Sequence, residues 1–374
     1  QCFFGGEWIY ESFEPKTVAY IFVFWGLYYW MSERWRQSLL CLAGATYFHL
    51  LVGGWTVIAL GVHALLSRQL LRRWREFGLY GIVILPILGY VLYGSLKNAP
   101  TDAPVNLDWV YVYYRLPNHL GIFRSIDYFL QAHAAGVMIG ILAYVYAWWR
   151  HHRLAGLARR INHLILIVLT INLAFVLVAF ADHLLLDNSG GLLLKIYPFR
   201  SNSLAYFLFV LLLFDQLRAF VRRHARRRLI SRSVVLLFLL LTCLFAFFNI
   251  RRSFDSFRDP AFDQMARDID RITERDAVVA LMDLGPSGVM YNSFSRKANR
   301  ENFSVFKFVP YQRDKLYAWY MRTLDLQMLW RDPDHSINLQ DIYGVDYVLS
   351  RGQLTSSHLT LHHDNGTYFL YNIQ

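Results

Sequence analysis

The sequence predicts a mainly α protein. A polytopic transmembrane helix bundle of about eight hydrophobic segments, with one short re-entrant-like pair among them, is followed by a small C-terminal extracytoplasmic α/β domain. Composition, the placement of arginine and a change of character after residue 250 carry this reading. Of 374 residues, 55% are hydrophobic, 17% aromatic and only 17% charged, whereas a soluble domain carries roughly a quarter charged residues. The connectors Glu33–Arg36, Arg68–Glu76, Arg150–Arg160 and Arg218–Arg232 hold 17 arginines and two acids, while the alternate stretches hold six basic and seven acidic residues. Such a bias marks the cytoplasmic loops of a multi-pass membrane protein. It also explains the net charge of +11 without nucleic acid as a partner. The excess sits in short loops, and residues 251–374 hold 15 basic and 16 acidic residues.

A bilayer core of about 30 Å needs roughly 20 helical residues. Spans are expected at 78–96, 129–149, 161–182, 203–217 and 233–250, with a shorter first span at 17–31. Residues 38–66 form a 29-residue apolar stretch between two arginine-rich connectors. A single crossing would put one connector on the wrong side, so the stretch reads as a hairpin of two short helices breaking at Gly53-Gly54. Irregular backbone at membrane depth is tolerated where protein or a wet cavity covers it. Residues 1–16, 97–128 and 183–202 then face outward. The chain opens on Gln1 in a polar stretch, which predicts an upstream segment.

Residues 1–250 are therefore expected as the transmembrane domain and 251–374 as the soluble domain. In the latter, Asp259-Pro260 is a helix start with an N-cap acid and proline at the first helical position, and Phe262, Met265, Ile269 and Ile272 recur at helical spacing. Ala277–Met282 and Ser304–Val309 read as strands, Asp314–Leu324 as a helix, and Tyr347–Ser350 with the turn at Asn365-Gly366 as a strand and closing hairpin.

Several constellations can carry chemistry. Glu7, Glu11 and Glu14 beside Lys16 suit a base or a divalent metal such as magnesium or manganese, or a solvated loop. His49, at membrane depth, is a functional candidate or a partner for local backbone. Asp182-His183 with Lys195 and Arg200 brings cations to the side where the charge bias disfavours them. A guanidinium there fits a lipid phosphate or snorkels at the interface. Asp108, Arg115, His119, Arg124 and Asp127, interleaved with Trp109, Tyr111, Tyr113 and Tyr114, could stack on sugar rings or form an amphipathic interface segment. The cytoplasmic arginines serve topology and anionic lipid. Cys2, Cys41 and Cys243 have no metal or disulfide spacing, no metal ligand is assigned, and no P-loop, dinucleotide glycine pattern or nucleophile elbow occurs.

Phe13-Glu14-Pro15-Lys16-Thr17, His49-Leu50-Leu51-Val52-Gly53-Gly54-Trp55 and Tyr197-Pro198-Phe199-Arg200, with Arg296, Phe306-Lys307 and Tyr317–Arg322, together resemble bacterial integral membrane glycosyltransferases of the GT-C type and their uncharacterised polytopic relatives. The resemblance implies sugar transfer from a polyprenyl-phosphate-linked donor to a glycan or protein acceptor, at the outer face of the bacterial inner (plasma) membrane. On this hypothesis Glu11, Glu14, Asp182 and His183 are the catalytic candidates, with Glu7, Glu11 and Glu14 as the tail of the first outer loop, and Lys16, His49, Arg124, Lys195 and Arg200 are the candidates for lipid-phosphate or substrate contacts. In such enzymes an acid in the first outer loop acts as base or metal-assisted activator. That loop follows a first span which this chain lacks, so the transmembrane domain reads as N-terminally truncated. A surface-polysaccharide polymerase or ligase shares the same lipid-phosphate chemistry. A transporter or flippase subunit, or a scaffold, is the non-enzymatic alternative.

Overall fold

The computed structural model describes residues 15–97, 104–186, 191–223, 259–282, 289–305 and 312–374, together with positions 240, 244, 247 and 248. The predicted span 233–250, almost entire, and Glu7, Glu11 and Glu14 lie outside them. The chain divides into two compact units, Gln1–Ala225 and Arg226–Gln374.

The first unit is helical. Its elements begin with α1 (Pro15–Met31), α2 (Trp35–Phe48), α3 (Leu50–Leu66) and α4 (Trp74–Lys97). A one-turn helix, α5 (Leu107–Trp109), runs into the π-helical turn Val110–Arg115, and α6 (Ile126–Ala132) and α7 (Ala134–His151) follow. The 31-residue α8 (Gly156–Leu186) leads through two short 3-10 turns, Leu192–Ile196 and Pro198–Ser201, into α9 (Asn202–Arg223). Trp30, Leu39, Leu42, Leu60, Val168 and Leu208 pack its core.

Three stretches among the described residues are long and apolar enough to cross a bilayer: Trp74–Tyr93, Gly156–Leu186 and Leu193–Ala219. A fourth arises if α6 and α7, bent by 64° at their junction, form one span. Large apolar side chains lie outermost on these helices, with Ile82 71%, Leu142 62%, Leu177 68% and Leu185 79% exposed. Exposed apolar surface on that scale has hydrocarbon as its natural neighbour. The chain is thus a mainly helical membrane protein with a small C-terminal sheet. The first predicted span is a helix of 17 described residues, at the lower end of the length that crosses a bilayer.

The predicted hairpin is present, but its break is not at Gly53-Gly54. The helix interrupts at His49, which adopts an extended conformation (φ −156°, ψ 98°) and caps α3, its Nδ1 accepting from the Val52 N–H at 3.4 Å. Gly53 is helical and buried against α2. A Cβ there would stand 2.3 Å from Thr46 Oγ1 and 2.4 Å from Thr46 N. The glycine permits close helix approach rather than a bend.

The C-terminal unit is an open sheet with helices. Its elements are α10 (Pro260–Ile272), β1 (Val278–Leu281), α11 (Val289–Ala298), β2 (Glu301–Asn302), α12 (Arg313–Arg331), α13 (Ser336–Tyr343), β3 (Tyr347–Ser350), β4 (Leu359–Asp364) and β5 (Phe369–Ile373). Strand order is β2-β1-β3-β5-β4, with β1 parallel to β2 and β3, and β5 antiparallel to β3 and β4. Asp259 caps α10 by accepting from the Phe262 N–H at 3.0 Å. Phe262, Met265 and Ile269 are buried as the spacing required, but Ile272, in the last turn, is 40% exposed. The second strand among the described residues is Glu301–Asn302, and most of the expected strand Ser304–Val309 lies outside them. Asn302 Oδ1 accepts the Ser304 N–H at 3.3 Å and turns the chain out of the ladder. The helix expected at Asp314–Leu324 extends to Arg331. The β4–β5 hairpin turns where expected, Gly366 taking a φ of 81° and Asn365 Oδ1 accepting from the N–H groups of Thr367 and Tyr368.

Candidate functional site

The densest polar chemistry of the first unit gathers where α8 ends and α9 begins. α8 carries Asp182 in its final turns, 6% exposed. A carboxylate at a helix C-terminus faces the negative end of the dipole, so it needs donors. Tyr113 supplies one through its hydroxyl, and the Gly191 N–H supplies another at 3.3 Å, both to Oδ2. Burial, then the bond to Asp182, raises the Tyr113 hydroxyl far above the ordinary phenol range, so it stays protonated and donating. The donor comes from the π-helical turn 110–115, which swings Val112 and Tyr113 into the core.

The same turn meets the residues after Gly191. Asn106 caps α5 by accepting from the N–H groups of Asp108 and Trp109, and Asp108 pairs with Lys195. Tyr111 and Tyr197 share a hydrogen bond between hydroxyls at 2.9 Å. Three cations surround these two rings. The Arg115 guanidinium lies 4.9 Å from the Tyr111 centroid, Lys195 Nζ lies 6.0 Å from the same centroid, and Arg200 lies 5.4 Å from that of Tyr197. Tyr197 is left-handed (φ 52°, ψ 55°) between the two 3-10 turns. For a non-glycine residue this costs of the order of 1 kcal/mol and persists only where surroundings enforce it. Here the Trp55 indole donates to the neighbouring Ile196 carbonyl at 2.8 Å, and Asn172 donates to Ser201 Oγ at 2.9 Å.

Against this cluster lies an apolar cavity of about 330 Å3, walled by Val178, Leu185, Leu186, Leu193 and Leu194, with Asp182 its sole ionisable lining group. The arrangement joins a cationic, aromatic patch to an apolar hollow containing one carboxylate. That suits an amphiphile with an anionic head.

Of the residues singled out from sequence, Asp182, Lys195 and Arg200 come together here. His183 is on the same last turn of α8 and does not line the cavity. His49 is the cap between α2 and α3, and Arg124 is exposed in the turn before α6. Neither is among the cavity residues. Lys16 begins α1, and Glu11 and Glu14 lie outside the described residues. Asp108, Tyr111, Tyr113 and Arg115 were visible in sequence only as an aromatic–charge alternation. Their roles emerge from partners 69 to 87 positions away. Among the described residues no group of three or more His, Cys, Asp or Glu is set to hold a metal ion. No family model, curated protein or solved structure matches this chain.

Proposed function

We propose that the chain is a membrane enzyme of lipid-linked glycan assembly, a GT-C-like glycosyltransferase that takes a sugar from a polyprenyl-phosphate donor. The observation that carries this reading is the juxtaposition of Arg115, Lys195 and Arg200 on the Tyr111–Tyr197 pair with the leucine-walled cavity. The donor phosphate meets the cations, and the first isoprene units enter the hollow. The acceptor hydroxyl oxygen attacks the anomeric carbon, the bond from that carbon to the phosphate oxygen breaks, and the polyprenyl phosphate departs with the electron pair. Fixed cations lower the cost of that developing charge. Asp182, oriented by Tyr113 and Gly191, takes the acceptor's proton. Tyr111 and Tyr197 offer ring faces to the sugar. The arginine asymmetry supports an inner-membrane, multi-pass location with Arg200 and the C-terminal domain outside the cytoplasm.

The test is a transfer assay on the full-length protein in proteoliposomes with a panel of polyprenyl-phosphate-linked sugars. Arg200→Ala is expected to weaken donor binding about tenfold, the loss of one charge-assisted hydrogen bond, with the unfolding temperature unchanged. Unaltered turnover in that variant removes Arg200 from the mechanism. Tight donor binding with no transfer to any acceptor favours a lipid-carrying, non-enzymatic role instead.

A further inference from the structure

The C-terminal unit holds a cavity of its own, also of about 330 Å3. Its position follows from the sheet. β1 is central, with β2 on one side and β3 on the other, all parallel. Open sheets of this kind bind ligands outside the carboxyl ends of their parallel strands. The cavity sits at that end of β2, between residues 302–305 as they leave the strand and one face of α12. Lys315, Trp319 and Arg322 line it at helical spacing, facing Asn302, Phe303 and Ser304.

Every ionisable group in its wall is a cation. The Arg322 guanidinium is held between two rings, 5.9 Å from the Phe303 centroid and 5.8 Å from that of Tyr343. Among the described residues no acceptor takes its N–H groups, and Lys315 has no ion pair. Arg300 in the same unit shows what a structural arginine looks like. Its donors are matched by Asp270, Thr273 and Asn299 through five hydrogen bonds of 2.6–3.0 Å. Arg322 differs: it is exposed, it rests on two rings, and no described residue takes its fork. The Trp319 indole, on the same helix, donates to the Val305 carbonyl at 3.1 Å and ties the two walls together.

We propose that this cavity binds a sugar-sized organic anion, whose phosphate or carboxylate meets Arg322 and Lys315 while its ring lies against Phe303 and Trp319. A planar guanidinium matches either group in bidentate fashion. The apolar wall selects an anion with a carbon skeleton over a bare ion.

Equilibrium dialysis of the detergent-solubilised full chain against radiolabelled glucose 1-phosphate and, separately, glucuronate tests this. Saturable binding of at least one anion is expected, displaced by unlabelled glucose only at concentrations about tenfold higher or more. Whichever anion binds tighter identifies the recognised group as phosphate or carboxylate. Lys315→Gln and Arg322→Gln should each weaken binding about tenfold, the share of one charge-assisted hydrogen bond. Lys315 is exposed and has no ion pair among the described residues, so its variant reports on binding with the unfolding temperature unchanged. Arg200→Ala should leave this binding intact. Absence of saturable binding for both anions, binding untouched by Lys315→Gln, or binding lost in Arg200→Ala would each overturn the assignment.

Discussion

At Asp182 a carboxylate sits where helix electrostatics oppose it, and two donors from distant chain segments hold it there. Asp182→Asn keeps the shape and removes the base proposed for transfer. Transfer should fall at least about 100-fold, the usual contribution of general base catalysis, with donor affinity unchanged, and steady-state kinetics separate the two. Tyr113→Phe should lower activity less, because the Gly191 N–H remains. A different residue-level device operates in the C-terminal unit. Tyr343 donates to Asp325 at 2.6 Å and Tyr347 to Glu274 at 2.9 Å. Burial first, and then the bonded carboxylate, pushes both hydroxyls up to about 12. A group whose folded value lies above its unfolded one, roughly 10 for tyrosine, stabilises the fold fully below the unfolded value and ceases to do so as pH rises through the folded one. The unfolding temperature of this unit should therefore fall between pH 10 and 12, and Tyr347→Phe should make that fall shallower. Calorimetry of the wild type and the variant across that range checks the slope, and equal slopes would refute the role given to Tyr347.

Gly53 and Gly54 show how one dipeptide can play two parts on one helix. A methyl group on Gly53 collides with both the backbone and the hydroxyl of Thr46, whereas one on Gly54 meets nothing within 4 Å. Gly53→Ala forces α2 and α3 apart and should cost about 3 kcal/mol, the upper range of core overpacking. Gly54→Ala gains helix propensity and should be neutral or stabilising by up to about 1 kcal/mol, and thermal unfolding in detergent compares the pair. In sequence the two glycines read as a break because both breaking and close packing select glycine. The separating fact, Thr46 opposite Gly53, is a tertiary contact. The same limit governs the rest of the element-level reading. Asp259-Pro260, the buried spacing of Phe262, Met265 and Ile269, and the Asn365-Gly366 hairpin were legible because their physics is local. β2 escaped the sequence reading because Glu301 and Asn302 form no apolar run, and only their parallel pairing with Val278 and Val279 makes them a strand. The Tyr111–Arg115 turn could not be read as one side of a site until Lys195 and Tyr197 were seen against it.

The molecule as a whole is organised by where its arginines lie relative to its apolar helices. α7 joins two turns of opposite character. At its far end Arg150, Arg153, Arg159 and Arg160 crowd one connector, while residues 116–127 before α6 carry both signs. In a bilayer each cation moved to the translocated side works against the insertion bias, so the arginine-rich end should be cytoplasmic. Asp127 and His152 are both exposed and sit at opposite ends of the bent α6–α7 pair. With Cys2, Cys41 and Cys243 replaced by serine, Asp127→Cys should react with a membrane-impermeant maleimide in intact cells. His152→Cys should react only after the membrane is opened. The same side should label for a cysteine at Ser125, two residues earlier. If His152→Cys reacts in intact cells, the arginine bias does not set the orientation of this pair, and the phosphate-binding role proposed for Arg200 loses its outward-facing setting. If both ends label from outside, α6 and α7 form a re-entrant turn rather than a crossing, which the 64° bend already permits geometrically.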